Sequence, residues 1–312
     1  MSTTLNLQDI LNDTAPEGHQ AGFVAIVGKP NVGKSTLLNR LLGQRLAAVT
    51  KKPSTTRNRI LGILNDPAYQ MVFVDTPGVI KPAYALHHRM MKYVQSSLRD
   101  ADVVVLLVAP REKFPEDKLL EQIRRTRAPI ILVVNKMDLS TPEEIQQRIA
   151  ELKEQLPPVA DEIVISALKS VNLEGLKALI LKYLPEGPAY FPKDQISDRP
   201  ERFFAAELVR EKIFHHYREE IPYGTAVTIP KFQFREADGL LEIDAVIHAE
   251  RESQKGILIG KKGADLKKVG TAARKALEDF FDTKVFLQLK VRVEEDWKRD
   301  TRRLAQFGYT DE

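Results

Sequence analysis

The sequence predicts a mostly parallel α/β sheet with helices on both faces, followed by a smaller α+β module. Apolar runs of strand length alternate with helical segments over residues 22–184, which is typical of a parallel sheet. After a proline-rich stretch, the order of the elements changes. The chain of 312 residues is longer than one ordinary domain needs, so two domains are expected.

The predicted strands of the first part are short and almost entirely apolar, as are central strands that are covered on both faces. They comprise residues 23–27, 60–65, 70–75, 103–109, 130–135 and 162–166. Helical segments lie between these strands and include residues 34–42, 142–156 and 173–184. The first part is therefore expected to be one layered sheet with helices on both sides.

Four prolines fall within residues 185–200, and this density does not sustain a helix or a central strand. The stretch is therefore predicted to be a linker. Beyond it the pattern predicts the order α-β-β-α-α-β and a last helix. These elements span residues 201–219, 226–234, 241–249, a short helix, 264–281, 284–293 and 295–306. The predicted organisation is an N-terminal extension, a first domain, a linker and a second domain, at residues 1–21, 22–184, 185–200 and 201–312.

Composition excludes several classes of site. The chain has no cysteine, so disulfides, thiolate metal sites and cysteine nucleophiles are excluded. The N-terminus lacks the apolar stretch of a secretory signal, and the longest apolar runs are too short to cross a bilayer. These features predict a cytosolic protein and leave peripheral membrane contact open. Residues 255–275 carry seven basic side chains against one acid, which suggests a polyanionic partner or a solvated helix face.

The segment between the first strand and the first helix fits the phosphate-loop pattern. Its glycines let successive backbone N–H groups wrap phosphates, and the helix N-terminus adds a positive dipole end. Lys34 is expected to neutralise the β- and γ-phosphates, and the Ser35 hydroxyl is expected to ligate Mg²⁺. The residues predicted to contact nucleotide here are Gly28, Lys29, Pro30, Asn31, Val32, Gly33, Lys34, Ser35 and Thr36.

Three further motifs, each at the end of a predicted strand, indicate guanine. Asp75 is expected to reach Mg²⁺ through water, and the Gly78 N–H to sense the γ-phosphate. Asp138 is expected to accept two hydrogen bonds from the guanine edge, which adenine does not offer, so an ATPase is disfavoured. A backbone N–H after the last strand is expected to reach guanine O6. The motif residues are Asp75, Thr76, Pro77, Gly78, Asn135, Lys136, Met137, Asp138, Ser166, Ala167 and Leu168.

Together these motifs resemble the translation-factor-related GTPases, and within them the Era family. The resemblance implies a phosphate-loop GTPase sheet that binds GTP or GDP with Mg²⁺. Residues 53–57 resemble that family's first switch loop, and Thr56 is implied as a further Mg²⁺ ligand. Lys34, Thr56 and Gly78 are then the implied catalytic residues. Asn31 matches the residue that helps to hold potassium in related GTPases. Val79 stands where many GTPases place a water-orienting glutamine, so slow intrinsic hydrolysis is expected.

The second part carries a Gly-x-x-Gly turn with two lysines at its centre, predicted to join two helices. This turn is the clamp of KH domains, and the element order matches their second topological class, type II. Ile257, Leu258 and Ile259 are expected to form an apolar floor for bases. The predicted RNA-binding residues are Gly256, Ile257, Ile259, Gly260, Lys261, Lys262, Gly263 and Lys267.

The resemblance to the Era family runs from about Phe23 to Tyr309. It implies a GTPase that acts in assembly and maturation of the small ribosomal subunit and binds the 3′ end of its 16S rRNA through the KH domain. It further implies a monomer in the cytoplasm, with some members attached peripherally to the inner membrane. Two alternatives remain: a GTPase whose partner is protein or membrane, and a nucleotide-dependent RNA-modifying enzyme. For the six histidines, ordinary surface or packing roles are expected.

Overall fold

The computed structural model describes residues 18–50, 52–112 and 117–310. The N-terminal extension predicted for residues 1–21 therefore lies almost wholly outside the described residues. Within the described ranges, no helix is long and apolar enough to cross a membrane.

The first part is a six-stranded sheet in the order β2-β3-β1-β4-β5-β6. All neighbours pair in parallel except β2 and β3, which form an antiparallel pair. The strands are β1 Gln20–Val27, β2 Ile60–Asn65, β3 Tyr69–Asp75, β4 Val103–Val108, β5 Ile130–Val134 and β6 Asp161–Val164. The predicted mostly parallel α/β fold is confirmed, and each predicted strand is present within a few residues of its expected bounds.

Helices cover both faces of this sheet. They are α1 Lys34–Leu42, α2 Ala85–Arg99, α3 Asp117–Arg125, α4 Pro142–Gln155 and α5 Leu173–Tyr183. In β1, Val24 and Ile26 are buried in one apolar cluster, whereas Ala25 and Val27 are buried in another on the opposite face. Because both faces are buried, the strand sequences are continuously apolar rather than alternating.

The second part is a three-stranded sheet in the order β7-β8-β9 with three helices packed against one face. Its elements are α6 Glu201–His216, β7 Thr225–Arg235, β8 Leu240–Ala249, α7 Glu252–Ile259, α8 Ala264–Phe281 and β9 Lys284–Val293. The strand β8 pairs antiparallel with β7 and parallel with β9. This arrangement confirms the predicted α-β-β-α-α-β order.

The predicted linker, residues 185–200, contains no helix or strand, but it is bound along the edge of the first sheet. The Ile63 N–H donates to the Ile196 carbonyl oxygen at 3.0 Å, and the Ser197 hydroxyl donates to the Leu61 carbonyl oxygen at 2.6 Å. The Gln70 amide donates to the Phe191 carbonyl oxygen at 2.8 Å. These bonds fix the path of the stretch between the two sheets.

Two predicted helix boundaries were wrong. The last helix, α9 Thr301–Gln306, begins six residues later than predicted, because the Asp300 carboxylate caps it by accepting from the N–H groups of Arg302 and Arg303. Asp296 has a φ of 50°, so a helix cannot run through it. The helix α6 ends at His216 rather than at residue 219.

Candidate nucleotide and RNA sites

The phosphate-loop residues lie between the end of β1 and the start of α1, as the motif requires. Gly33, the last residue before α1, has a φ of 109°. A Cβ atom at this position would lie 2.3 Å from the Asn135 amide nitrogen, so only glycine fits. The loop is thereby packed directly against the Asn135–Asp138 motif.

Lys34 is buried inside this loop. Its ammonium group donates to the carbonyl oxygens of Gly28 at 3.1 Å and Lys29 at 2.8 Å. Burial lowers the pKa of Lys34 to about 8, although the negative charges of Asp75 and Glu112 oppose the shift. A poorly solvated cation in this position is stabilised by an anion such as a polyphosphate.

Three oxygen-bearing side chains from separate segments meet beside Lys34. The Ser35 hydroxyl donates to the Asp75 carboxylate at 2.8 Å and lies 2.9 Å from the Thr56 hydroxyl oxygen. Burial raises the pKa of Asp75 to about 6, opposed by the charge of Lys34 and by bonds from Ser35 and Thr56. The Asp75 Oδ1 atom is buried and has no hydrogen-bond partner among the described residues. Hydroxyl and carboxylate oxygens with an unsatisfied acceptor fit a hard cation such as Mg²⁺.

At the other end of the site, Asn135 joins two motifs. Its amide donates to the Val32 carbonyl oxygen at 2.7 Å and accepts from the Ala167 N–H at 2.9 Å. The Asp138 carboxylate accepts a 2.5 Å hydrogen bond from the Ser166 hydroxyl, which orients it. The side chain of Asn135 therefore holds the phosphate loop and the 166–168 turn together.

These motifs surround a cavity of about 650 Å³. Of the residues predicted to contact nucleotide or metal, those that line it are Pro30, Asn31, Gly33, Lys34, Ser35, Thr36, Thr56, Gly78, Asn135, Lys136, Asp138, Ser166 and Leu168. The other predicted residues, which do not line it, are Gly28, Lys29, Val32, Asp75, Thr76, Pro77, Met137 and Ala167. The last group includes supports of the site: the Thr76 hydroxyl, for example, donates to the Ile26 carbonyl oxygen.

Val79 is buried and packs into the apolar cluster that includes Val27 and Val94. Its N–H donates to the Gly28 carbonyl oxygen at 3.2 Å. A buried aliphatic side chain cannot orient a water molecule, so slow intrinsic hydrolysis stays a prediction.

The sequence did not point to part of the cavity wall, formed by residues 48–50, Lys52, Leu139 and His215, whereas residues 54–55 belong to the predicted switch loop. His215 lies on α6, in the second part of the chain, and its ring is 3.3 Å from the buried Glu211 carboxylate. His215 is exposed and contacts Glu211, which fits the expected surface or packing role, but its place on the cavity wall was not predicted. No local sequence signal could have revealed this, since the contact depends on how the two parts pack.

In the second part, the predicted clamp lies between α7 and α8. Gly260 has a φ of 69°, and a Cβ atom there would lie 2.3 Å from the Asp265 carboxylate, so the turn requires glycine. Lys261 and Lys262 are both exposed. Ile257 is half exposed, as a base platform needs, but Leu258 is buried in the core. The inclusion of Leu258 in the apolar floor was wrong because the helix turns this residue inward.

A groove of about 390 Å³ extends from the clamp between α8 and β9. It is lined by Gly263, Leu266, Lys267, Gly270, Thr271, Arg274, Leu287 and Leu289. Of these, only Gly263 and Lys267 were predicted. The alternation of β9 places Leu287 and Leu289 on one face, and this pattern was the available signal for the groove floor. An apolar floor with basic walls suits single-stranded RNA.

Comparison with known proteins finds a family match in each of the two parts of the chain. The family described as "50S ribosome-binding GTPase" matches residues 23–136, and the family described as "KH domain" matches residues 220–298. The protein named GTPase Era of Geobacter metallireducens is 47% identical over 293 residues, which cover 93% of this chain and 98% of that protein. The chain belongs to the Era family of GTPases. GTPase Era of Clostridium kluyveri is 43% identical over 292 residues, which cover 93% of this chain and 99% of that protein.

Solved Era structures share the whole architecture. The crystal structure of an Aquifex aeolicus Era variant bound to GDP and AlF₄⁻ superposes with a TM-score of 0.89 at 42% identity. The same values hold for Era in complex with MgGDPNP and nucleotides 1506–1542 of 16S ribosomal RNA. Each match covers 94% of this chain and all of the other chain. The predicted fold, a GTPase sheet followed by a KH domain, is thereby confirmed.

Proposed function

We propose that this Era-family GTPase is a GTP-controlled switch that binds the 3′ end of 16S rRNA through its KH domain. It would act in assembly and maturation of the small ribosomal subunit. The observation that carries the proposal is the meeting of Ser35, Thr56 and Asp75 oxygens beside the buried Lys34 ammonium. This is the donor set that a Mg²⁺–nucleoside triphosphate needs.

Within the nucleotide cavity, the chain's own residues have separable tasks. Lys34 would neutralise the β- and γ-phosphates, and Asp138, oriented by Ser166, would select guanine. Ser35 and Thr56 would hold Mg²⁺ directly and Asp75 through water. Mg²⁺ supplies positive charge that stabilises the developing charge on the transferred phosphoryl group. Asn31 has a φ of 64° and lies on the cavity wall, which supports a role beside the phosphates; its potassium role stays a prediction.

The RNA part of the proposal rests on the clamp and the groove beside it. The exposed ammonium groups of Lys261 and Lys262 would meet phosphates, and about four single-stranded nucleotides would fit such a clamp. Ile257 and Ile259 of α7 would flank the bases, with Lys267 on the wall of the groove. The solved Era complex with 16S rRNA nucleotides supports the choice of RNA.

The predicted domain organisation is kept as part of the proposal: a GTPase domain at 22–184, a linker at 185–200 and a KH domain at 201–312. The two matched families, at residues 23–136 and 220–298, fall inside the two proposed domains. Because bacterial ribosomal subunits assemble in the cytoplasm, the proposal places the protein there. Monomeric state and peripheral attachment to the inner membrane stay predictions.

The proposal is tested by RNA binding of the full chain with a GTP analogue. An oligonucleotide copying the 16S rRNA 3′ end is compared with a scrambled one, for wild type and for Lys261→Asp/Lys262→Asp. Wild type should select the rRNA sequence. The variant should bind it at least about ten-fold more weakly, because the charge is reversed at two side chains that meet phosphates. Lys153→Asp/Lys193→Asp, an equal charge change at exposed lysines elsewhere, is the control.

Weak binding that follows salt concentration alone, and ignores both sequence and variant, would contradict the RNA assignment. The partner would then be sought among proteins or membrane surfaces.

A further inference from the structure

Arg57, the residue after Thr56, has its side chain inserted into the KH domain. It is only 3% exposed. Its guanidinium donates to the carbonyl oxygens of Thr225 at 2.7 Å, Pro222 at 3.1 Å and Tyr223 at 3.2 Å. These acceptors lie in the segment that leads into β7, more than 160 residues away along the chain.

Aromatic groups complete the socket around this guanidinium. Its central carbon lies 5.8 Å from the ring centres of both Phe214 and Trp297, within the range of cation–π attraction. The Arg57 Nη1 atom, which donates to the Thr225 carbonyl oxygen, also lies 3.4 Å from the Tyr309 hydroxyl oxygen. Trp297 is itself fixed, since it is fully buried and its indole N–H donates to the Gly224 carbonyl oxygen. A planar, multi-donor cation is therefore held by geometry that a simple ammonium cannot match.

The same region of the KH domain contacts the segment that follows Gly78. The Leu86 N–H, in the first turn of α2, donates to the Lys298 carbonyl oxygen at 3.1 Å. Leu86 and Met90 share an apolar cluster with Trp297. The socket of Arg57 therefore lies where the switch loop and the segment after Gly78 both reach the KH domain.

Lys52, which directly precedes the switch loop, also attaches to the same domain. Its ammonium group donates to the carbonyl oxygens of Phe214 and Tyr217, at the end of α6. The loop between α1 and β2 is thus bound to the KH domain through Arg57 and Lys52, and also through an ion pair of Arg45 with Glu211. Thr56 lies directly beside Arg57.

We propose that Arg57 is the positioning residue that couples Thr56 to the KH domain. Adjacent Cα atoms are about 3.8 Å apart, so while Arg57 stays in its socket, a movement of the KH domain away from the GTPase site pulls Thr56 away from Ser35 and Asp75. Conversely, nucleotide and Mg²⁺ that hold Thr56 in place favour the docked KH domain. Because coupling of binding free energies is reciprocal, RNA that favours this arrangement strengthens GTP binding by the same factor. The inference rests on the proposed function and names the residue through which the switch acts.

The test compares four full-length proteins: wild type, Arg57→Lys, Arg57→Ala and the control Arg59→Ala. The ratio of rRNA-oligonucleotide Kd values with GDP and with a GTP analogue is measured for each. In wild type this ratio should exceed about five-fold, in the usual range of allosteric coupling. Both Arg57 variants should bring it close to one, and Arg59→Ala should keep it. A merely structural role would lower thermal stability without changing the ratio.

A second readout is the Mg²⁺ concentration that gives half-maximal GTP hydrolysis. It should rise at least about three-fold in Arg57→Lys, because a positioned Thr56 is needed to hold the metal. The Kd for GDP should change by less than about three-fold in the same variant. Arg57→Lys keeps the charge and so remains informative if Arg57→Ala fails to fold.

The two hypotheses fail in different ways. If wild type neither selects the rRNA sequence nor responds to nucleotide, the proposed function is wrong and the coupling falls with it. If wild type shows coupling and folded Arg57→Lys retains both the ratio and the Mg²⁺ requirement, the inference about Arg57 alone is overturned.

Discussion

The Ser35 hydroxyl donates a 2.8 Å hydrogen bond to the Asp75 carboxylate, although 40 residues separate them in the sequence. The contact arises because β1 and β3 are parallel neighbours, so the segments that follow them meet at one edge of the sheet. Thr56 reaches the same point from the loop before β2. Three segments thus supply one set of oxygen ligands, and displacement of any of them should weaken metal-dependent chemistry.

The choice between two neighbouring threonines gives the first prediction. The Thr56 hydroxyl faces Ser35, whereas the Thr55 hydroxyl bonds to Thr50 at 2.6 Å and to the Lys52 carbonyl oxygen at 2.9 Å. Thr56→Ala should lower kcat for GTP hydrolysis by at least about ten-fold, since a charge-stabilising ligand is lost. Single-turnover hydrolysis with Thr55→Ala as the control checks it. A larger fall of kcat in Thr55→Ala than in Thr56→Ala would show that Thr55, and not Thr56, is the metal ligand.

Base selection should depend on Asp138. Asp138→Asn should weaken GTP binding by at least about 100-fold, because hydrogen bonds to a charged acceptor are worth about 1.5–3 kcal/mol each. Xanthosine triphosphate should then bind the variant better than GTP, since its 2-carbonyl group accepts from the asparagine amide. Competition against a fluorescent guanine nucleotide measures this, with Asp161→Asn as the control at a distant carboxylate. Unchanged GTP affinity would exclude Asp138 from base recognition.

The raised pKa of Asp75 predicts a pH dependence of stability. Burial lifts this pKa from 3.8 to about 6, so between these values the folded state binds the proton more tightly than the unfolded state. The unfolding free energy should therefore fall by about 2 kcal/mol as pH rises from 4 to 6, and by about 3 kcal/mol over the wider range from about pH 3 to pH 7; the loss should persist at higher pH. Asp75→Asn should lack this fall. Urea unfolding without nucleotide or Mg²⁺ measures it, and parallel pH profiles for both proteins would contradict the cause.

His215 lines the nucleotide cavity, whereas the next residue, His216, faces Asp265 at 3.4 Å. Loss of one hydrogen-bonding group from the cavity wall should weaken GDP and GTP binding by about three- to ten-fold in His215→Ala. His216→Ala is the matched control and should bind nucleotide as wild type does. Equal affinities for all three proteins would show that the His215 ring does not contact the nucleotide.

The groove beside the clamp predicts a separation of RNA binding from GTP hydrolysis. A Cβ atom at Gly270 would lie 3.3 Å from the Leu289 side chain, so a larger group there fills the groove. Gly270→Val should reduce affinity for the rRNA oligonucleotide by at least about ten-fold through lost stacking, with basal GTP hydrolysis retained. Ala272→Val, on the exposed side of α8, controls for the effect of valine on the helix. Undiminished RNA affinity in Gly270→Val would place the bases elsewhere.

The fold and the motifs could be read from the sequence because they are local patterns. Continuous apolar strands predict a sheet buried on both faces, and each nucleotide motif follows a strand end. The predicted start of the last helix at residue 295 was wrong for a local reason. Asp296 has a positive φ, and Asp300 caps the helix that begins at Thr301. The prediction that Leu258 belongs to the apolar floor was wrong because three successive apolar residues on a helix cannot all face the same way.

The remaining features depend on how distant segments pack. His215 and the socket of Arg57 exist only because α6 and the start of β7 lie against the switch loop. No spacing within the sequence encodes this contact. His215 at a helix end, Arg57 in a loop and Trp297 near the C-terminus belong to no sequence motif that would predict their contacts.

In the proposed switch, the bound nucleotide controls RNA binding. The most direct measurement is the Kd of wild-type protein for the 16S rRNA 3′-end oligonucleotide, with GDP and with a non-hydrolysable GTP analogue, at one salt concentration. Binding should be tighter with the GTP analogue, by more than about five-fold. Equal affinity in the two nucleotide states would contradict it, and the KH domain would then bind RNA independently of the GTPase site.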